Sequence, residues 1–374
     1  MRHLYRGRSE TRAVKSDTDY GWASRMLHRA AFRSGGLQVA LADVEGQLFG
    51  KDLAKVGAGA PAFVTALPRA GTTILLNLLV ESGAFVTHTY RDMPFVLCPL
   101  LWNRLTGPFQ KREEQRERAH GDGLMVSVDS PEAFEEMLWK QFFPGHYLAT
   151  RITPWERCDD AEFLEFFNNH MQRIRLVRSF GREQFPRYVS KNNLNIARIS
   201  CLPSALPDAR FIVLFREPVQ HAASLLKQHE AFLDLHSRDR FTREYMAGVG
   251  HFDFGENLRP VSFHNWFDGD LMNASRDISF WLKYWEAVYS YVKAYLGPRV
   301  CLLSNEALTA RPRESLADVA EFLEMNDSSG LVAQHSRLHA ARIHEVNLES
   351  VDSALLERTA TLYRELCSHS LGAA

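Results

Sequence analysis

The stretch Pro68, Arg69, Ala70, Gly71, Thr72 and Thr73 has the residue types and order of an anion-holding turn. It follows an apolar run over residues 61–67 that reads as a buried strand, and it precedes an apolar run over 74–81 that reads as a helix. A strand that ends in a tight turn and enters a helix aims several backbone N–H groups at one point. The helix dipole adds positive potential there, so the point favours phosphate or sulfate. Gly71 lets the backbone approach an anion closely. Thr72 and Thr73 add hydroxyl donors, and Arg69 adds a fixed charge with a forked donor set. The plainer alternative is an incidental proline–glycine turn before a helix.

The turn departs from the nucleotide-triphosphate loop GxxxxGK[ST]. Aligned on Gly71, the first glycine position holds Ala66 and the lysine position holds Thr72; the basic residue lies before the glycine instead, at Arg69. This strand–turn–helix unit resembles the 5′-phosphosulfate loop of the sulfotransferase superfamily. The resemblance implies a P-loop-like α/β fold with a mostly parallel central sheet, a sulfuryl donor in 3′-phosphoadenylyl sulfate, and no required metal. It implies that Arg69, Ala70, Gly71, Thr72 and Thr73 hold the donor's 5′ end, with Arg69 also stabilising charge on the transferred group. It further implies a second site, in which a strand ends in an arginine with a serine about eight residues on, both holding the 3′-phosphate. The apolar run 211–215, then Arg216, Glu217 and Pro218, then Ser224, fits that pattern with a spacing of eight. Arg216 would emerge at the carboxyl end of a strand, where open α/β sheets bind ligands. Lys191, Asn192 and Asn193 fall where related enzymes carry a polar strand end near the donor. The run 300–308 resembles the family's late strand, and Arg342 lies where members place a basic residue on the 3′-phosphate. The stretches 120–123, 130–136 and 250–255 resemble segments of bacterial members, with no chemistry attached to them here.

Sulfuryl transfer in line also needs a base for the acceptor proton. Aligning Pro94 with the corresponding proline of protein-tyrosine sulfotransferases puts Thr89 where their catalytic Glu stands and Arg91 on their arginine. Asp92 and His88 are the nearest substitutes, and His120 with Asp122, on a glycine-flanked loop, are the rivals. For each, a capped turn or an internally satisfied histidine is the bland reading. His335, His339 and His344 lack a Cys or carboxylate at ligand spacing, so no metal site is expected.

The elements that must position these residues alternate between strand and helix, which implies a mostly parallel sheet. Two helices are expected over 19–49, broken at Gly35 and Gly36, as an extension over 1–58 packed on a sulfotransferase domain over 59–370. Strands are expected at 84–89, 188–190, 210–215 and 300–303. Helices are expected at 93–105, from Ser130 and Pro131, and at 163–180, 196–206, 277–296, 313–323 and 351–366. Residues 229–275 read as a long irregular segment of functional interest.

Composition narrows the classes. A 374-residue chain that is 45% hydrophobic can bury a large core. A net charge of −1 gives no general attraction to nucleic acid or an anionic surface, so anion binding must be local. The basic N-terminal stretch is followed by no apolar run of signal-peptide type, and no run approaches a membrane span, so a cytoplasmic protein is expected. The five cysteines are scattered, odd in number and without a CxxC pair, which predicts core thiols rather than disulfides. The acceptor, a hydroxyl or amine on a small molecule, lipid or glycan, is not legible. The competing functions are a P-loop kinase or NTPase, which would need the missing lysine and an acidic Mg²⁺ ligand, and a non-catalytic nucleotide-binding module.

Overall fold

Strand β1 (Ala62–Thr65) is buried along its whole length and lies in the middle of a five-stranded sheet. The computed structural model describes residues 21–106, 130–179 and 184–373, together with the backbone of a two-stranded ribbon at Arg116–Glu117 and Met125–Val126. With β2 (Phe85–Val86), β3 (Arg187–Lys191), β4 (Arg210–Phe215) and β5 (Val300–Ser304), the sheet order is β2-β3-β1-β4-β5. Every pairing within it is parallel. Such a sheet is covered on both faces and its strands read as near-continuous apolar runs, as in Phe211, Ile212, Val213, Leu214 and Phe215, all fully buried.

The chain leaves β1 toward one side of the sheet and β4 lies on the other, so the carboxyl ends of β1 and β4 flank a switch in winding direction, where α/β sheets take ligands. Thr65 of β1 pairs with Val213 of β4, so the two strands end side by side.

Helices α1 (Trp22–Arg33), α2 (Gly35–Leu48) and α3 (Gly50–Val56) precede the sheet. They are tied to the rest by buried polar contacts. Glu45 accepts from the Leu101 N–H at 2.7 Å and faces Arg173 at 3.4 Å, and Arg173 donates to the Ala42 carbonyl. Helix α4 (Thr72–Glu81) follows β1, and α5 (Pro99–Thr106), α6 (Glu136–Phe142) and α7 (Ala161–Arg178) separate β2 from β3.

Helix α8 (Pro218–Arg238) starts with Pro218 in its first turn and with Glu217 accepting from the Val219 and Gln220 N–H groups, a favourable cap. It then runs through residues read from sequence as irregular, and α9 (Arg240–Val249) continues to 249 behind an Asp239 cap. The buried face of α8 contains His221, Gln228, His229 and His236 among its apolar residues, so the helical period is hidden from an apolar pattern. Three other expectations shift. The helix expected at 93–105 begins only at Pro99, and the one expected from Ser130 begins at Glu136. The one expected at 196–206 is a 3₁₀ segment, Asn193–Arg198, and a single helical turn, Leu202–Ala205. Helices α10 (Ile278–Lys293), α11 (Pro312–Phe322) and α12 (Ser353–Ser368) complete the cover. Among the described residues no helix is long and apolar enough to cross a membrane.

One cysteine expectation is corrected. Cys158 and Cys201, 43 residues apart, form a disulfide with a Cα–Cα distance of 5.4 Å, while Cys98, Cys301 and Cys367 are free. Sequence spacing did not reveal the pair, because the two turns that carry it meet only in the folded chain.

Candidate active site

The turn between β1 and α4 adopts a backbone that few residues tolerate. Gly71 has φ of 96°, and a Cβ placed on it would lie 2.6 Å from Asn305 Nδ2. That amide donates to the Ala70 carbonyl at 3.0 Å and pins the turn from the end of β5. Arg69 is also left-handed, with φ of 71°, a strained conformation that surrounding structure must hold. Helix α4 then begins at Thr72 with no side-chain cap and no acidic residue in its first turn. Its first N–H groups are therefore available to an anion.

The two motifs meet. Arg69 Nε donates to Ser224 Oγ at 3.4 Å, across 155 residues. His221, one turn earlier on α8, lies 2.7 Å from the Pro68 carbonyl. Arg216, nearly buried at the end of β4, donates from Nη2 to the Arg342 carbonyl at 2.9 Å. Gln220 clamps the same C-terminal loop with two bonds to the His344 backbone, at 3.1 and 2.7 Å. Arg342 thus comes to the site by its carbonyl, with its side chain exposed.

The electrostatics agree with an anion site. Burial, then Arg216, Lys227, Arg342 and Arg69, pushes the His344 imidazole below its usual range. Burial pulls His221 down to about 3, against its contact with the Pro68 carbonyl and with help from Arg216 and Arg69. Both imidazoles are thus disfavoured as cations, chiefly by burial and in smaller part by the arginines that share their space.

The model for the sulfotransferase family matches residues 61–253, more than half of the chain. This chain belongs to the sulfotransferase family. The matched segment holds the Arg69 turn, the Lys191 strand end and the Arg216–Ser224 pair. It is therefore a transferase, and its activity is sulfuryl transfer. Among solved structures it is similar to sulfotransferase STF9 from Mycobacterium avium (14% identity, 90% of this chain and 83% of that one, TM-score 0.49). It is also similar to STF1 from Mycobacterium tuberculosis H37Rv (14%, 89% and 85%, 0.49) and to a sulfotransferase from Alicyclobacillus acidocaldarius (14%, 84% and 94%, 0.35). The family assignment rests on the match over 61–253 and not on these. None of the curated proteins matches the sequence.

The sulfotransferase does not present Asp92 or His88 at this turn. Asp92 is wholly buried, and its carboxylate is engaged on every side. It pairs with Arg178, caps the Thr89 N–H at 2.9 Å, accepts from Asn103 at 3.1 Å and lies 3.5 Å from His88 Nδ1. Burial pushes Asp92 up, but Arg178, His88 and the Thr89 N–H outweigh it and hold the carboxyl below its usual range. His88 is equally buried, stacked on His170 with the facing Nε2 atoms 3.2 Å apart. Asp92 and His88 are corrected to parts of an internal cluster, because neither opens to a substrate. His120 and Asp122 lie outside the described residues. Among the described residues no three His, Cys, Asp or Glu side chains gather at metal-ligand distances.

Asp92→Asn should therefore cost stability, roughly 2–3 kcal/mol for a half-buried Arg178 left without its carboxylate partner, with donor binding retained. Its pKa is depressed on folding, so the contribution of Asp92 is complete above its ordinary value of about 3.9 and is lost as pH falls through the lower folded value. Urea denaturation of wild type and variant at pH 7 checks this; equal midpoints with a collapse in turnover would return Asp92 to the catalytic list.

Sequence reasoning left one layer unassigned. Asn192 at the end of β3 donates to Glu136 at 2.8 Å and to Glu135 at 3.3 Å, and its N–H donates to Val64 of β1. Thr65 donates to the Asn193 carbonyl at 3.0 Å. This layer fixes the polar strand end against the start of the donor turn. Its carboxylates stand in the run 130–136, where the sequence alone names no partner for them.

Proposed function

We propose that this sulfotransferase transfers the sulfuryl group of 3′-phosphoadenylyl sulfate to a hydroxyl or amine acceptor. Arg69, Ala70, Gly71, Thr72 and Thr73 hold the 5′ phosphosulfate, with Arg69 stabilising charge as the sulfuryl group leaves. Arg216 and Ser224 hold the 3′-phosphate, and Arg342 adds positive potential. The observation that supports this reading is the 3.4 Å contact between Arg69 and Ser224. It brings the turn at 68–73 against the strand–helix unit at 216–224, with Arg69 and Arg216 both acting on His221 between them. Fixed N–H and guanidinium donors suit a donor whose charge needs no metal to neutralise it. The acceptor is a small molecule, lipid or glycan, and a cytoplasmic location suits such a donor.

Calorimetric titration tests the donor. Adenosine 3′,5′-bisphosphate should bind without a divalent metal and more tightly than ATP with Mg²⁺. Tighter binding of ATP with Mg²⁺ would favour a kinase or NTPase, and binding of neither would sink the donor assignment.

A further inference from the structure

With Asp92 and His88 engaged internally, the acceptor proton needs another destination. A carboxylate on a different segment faces the donor end of the sheet. Asn193 Nδ2 donates to Asp253 Oδ2 at 3.4 Å, and the Lys191 charge acts on that carboxylate. Lys191 pairs in register with Val64, one residue before Thr65, which itself holds the Asn193 carbonyl. Asp253 thus sits two hydrogen bonds from the last residue of β1, where the phosphate turn begins.

The segment that carries it is held from the other side by α8. The Gly255 N–H donates to His229 Nδ1 at 3.1 Å and the Glu256 N–H to His236 Nδ1 at 3.2 Å. This is the helix that brings Ser224 to Arg69. Phe252 and Phe254 on either side of Asp253 are buried, while Asp253 keeps part of its surface open. Other carboxylates nearby are committed. Glu136 is bound by Arg198, Asn192 and Tyr147, and Glu135 accepts from Trp139 and Asn195.

For a hydroxyl acceptor, we propose that Asp253 is the base of the sulfuryl transfer. The proposal rests on the donor reading above. The acceptor O–H gives its proton to the Asp253 carboxylate. The oxygen's electron pair forms the new O–S bond, and the S–O bond to the 5′-phosphate breaks. Its electron pair leaves on adenosine 3′,5′-bisphosphate, and Asp253 returns the proton to solvent. Burial, against Lys191 and Asn193 and with the Glu136 charge, raises the Asp253 carboxyl to about 6. That value suits a base working near neutral pH. The other groups around it are Tyr284 of α10, which senses its charge, and His229 and His236 of α8, each pushed down to about 4 by burial and so neutral in the working range.

A binding measurement that needs no acceptor decides the matter. An ionised Asp253 beside the sulfuryl group repels it, whereas the bisphosphate product lacks that group. Calorimetry gives the affinity of 3′-phosphoadenylyl sulfate relative to the bisphosphate, from pH 5 to 8, for wild type, Asp253→Asn and Asp253→Ser. Dividing the variant's ratio by the wild-type ratio cancels the ligands' own ionisation. Above pH 6 the divided ratio should favour the sulfated donor by roughly 3- to 10-fold, shrinking toward one at pH 5 as Asp253 protonates. With 2-naphthol as probe acceptor, any wild-type turnover should fall by about 10²-fold in the variant. A divided ratio of one at every pH overturns the proposal. So does loss of bisphosphate binding in both variants, which would make Asp253 structural. Failure of the wild type to bind the bisphosphate would instead sink the donor reading.

Discussion

Arg216→Ala is expected to weaken binding of adenosine 3′,5′-bisphosphate by roughly 10- to 150-fold, the range for a lost hydrogen bond to a charged group at about 1.5–3 kcal/mol. Arg216 stands at the carboxyl end of β4 and spends one donor on the Arg342 carbonyl. Glu306 and Glu217 lie near enough to counter its burial, yet Glu217 is occupied by the Val219 and Gln220 N–H groups and Glu306 by the Glu217 N–H. Its remaining N–H groups are what a phosphate would take in a forked arrangement. Adenosine 5′-phosphosulfate, which lacks the 3′-phosphate, serves as the control, and its affinity should hardly change. The C-terminal loop keeps its two bonds from Gln220 in the variant, so loss of the Arg342 contact alone does not release it. Ser224→Ala removes a neutral donor and should cost less. Equal losses for the two nucleotides would mean that Arg216 is structural.

Glu136→Ala is expected to destabilise the fold by about 3–5 kcal/mol, the scale for removing one partner of a buried ion pair. Arg198 is fully buried, with its guanidinium 4.1 Å from the ring centres of both Trp139 and Trp155. Held between two indoles, it cannot swing to water when its partner is removed. Glu136 takes bonds from Arg198 at 2.9 and 2.7 Å and also from Tyr147 and Asn192. The alanine variant removes all of these bonds at once and leaves the buried Arg198 charge without its carboxylate, with Asn195 and Tyr147 as its remaining acceptors. Replacing both members, as Glu136→Ala with Arg198→Met, removes the stranded charge and should recover part of the loss. Denaturant midpoints of the two variants, at unchanged slope, check the order. A single variant that costs under about 1 kcal/mol would show that water reaches the guanidinium.

The proposed donor site was legible in the chain because each of its halves is local. A turn such as 68–73 states its own chemistry: Gly71 for the left-handed backbone, hydroxyls at the helix start, and a basic residue placed before the glycine instead of after it. Arg216 and Ser224 likewise lie on one strand–helix unit, where eight residues of separation set their geometry. The parallel sheet was legible for the same reason, since strands buried on both faces read as unbroken apolar runs. Three features were misjudged where burial and polarity part company. Helix α8 buries three histidines and a glutamine, and Asp92 looks like a poised carboxylate until Arg178, 86 residues away, is seen to hold it. Cys158 and Cys201 read as isolated thiols until their segments meet. Each of these depends on a partner brought from far along the chain, and the identity of such a partner is not encoded in spacing. By itself the sequence determined the fold class, the anion turn and the basic strand end. Only the tertiary structure decided that Arg69 and Ser224 come into contact and that Asp92 and His88 are interior. It also brought Asp253 to the end of β3, because burial and charge pairing are properties of the packed chain.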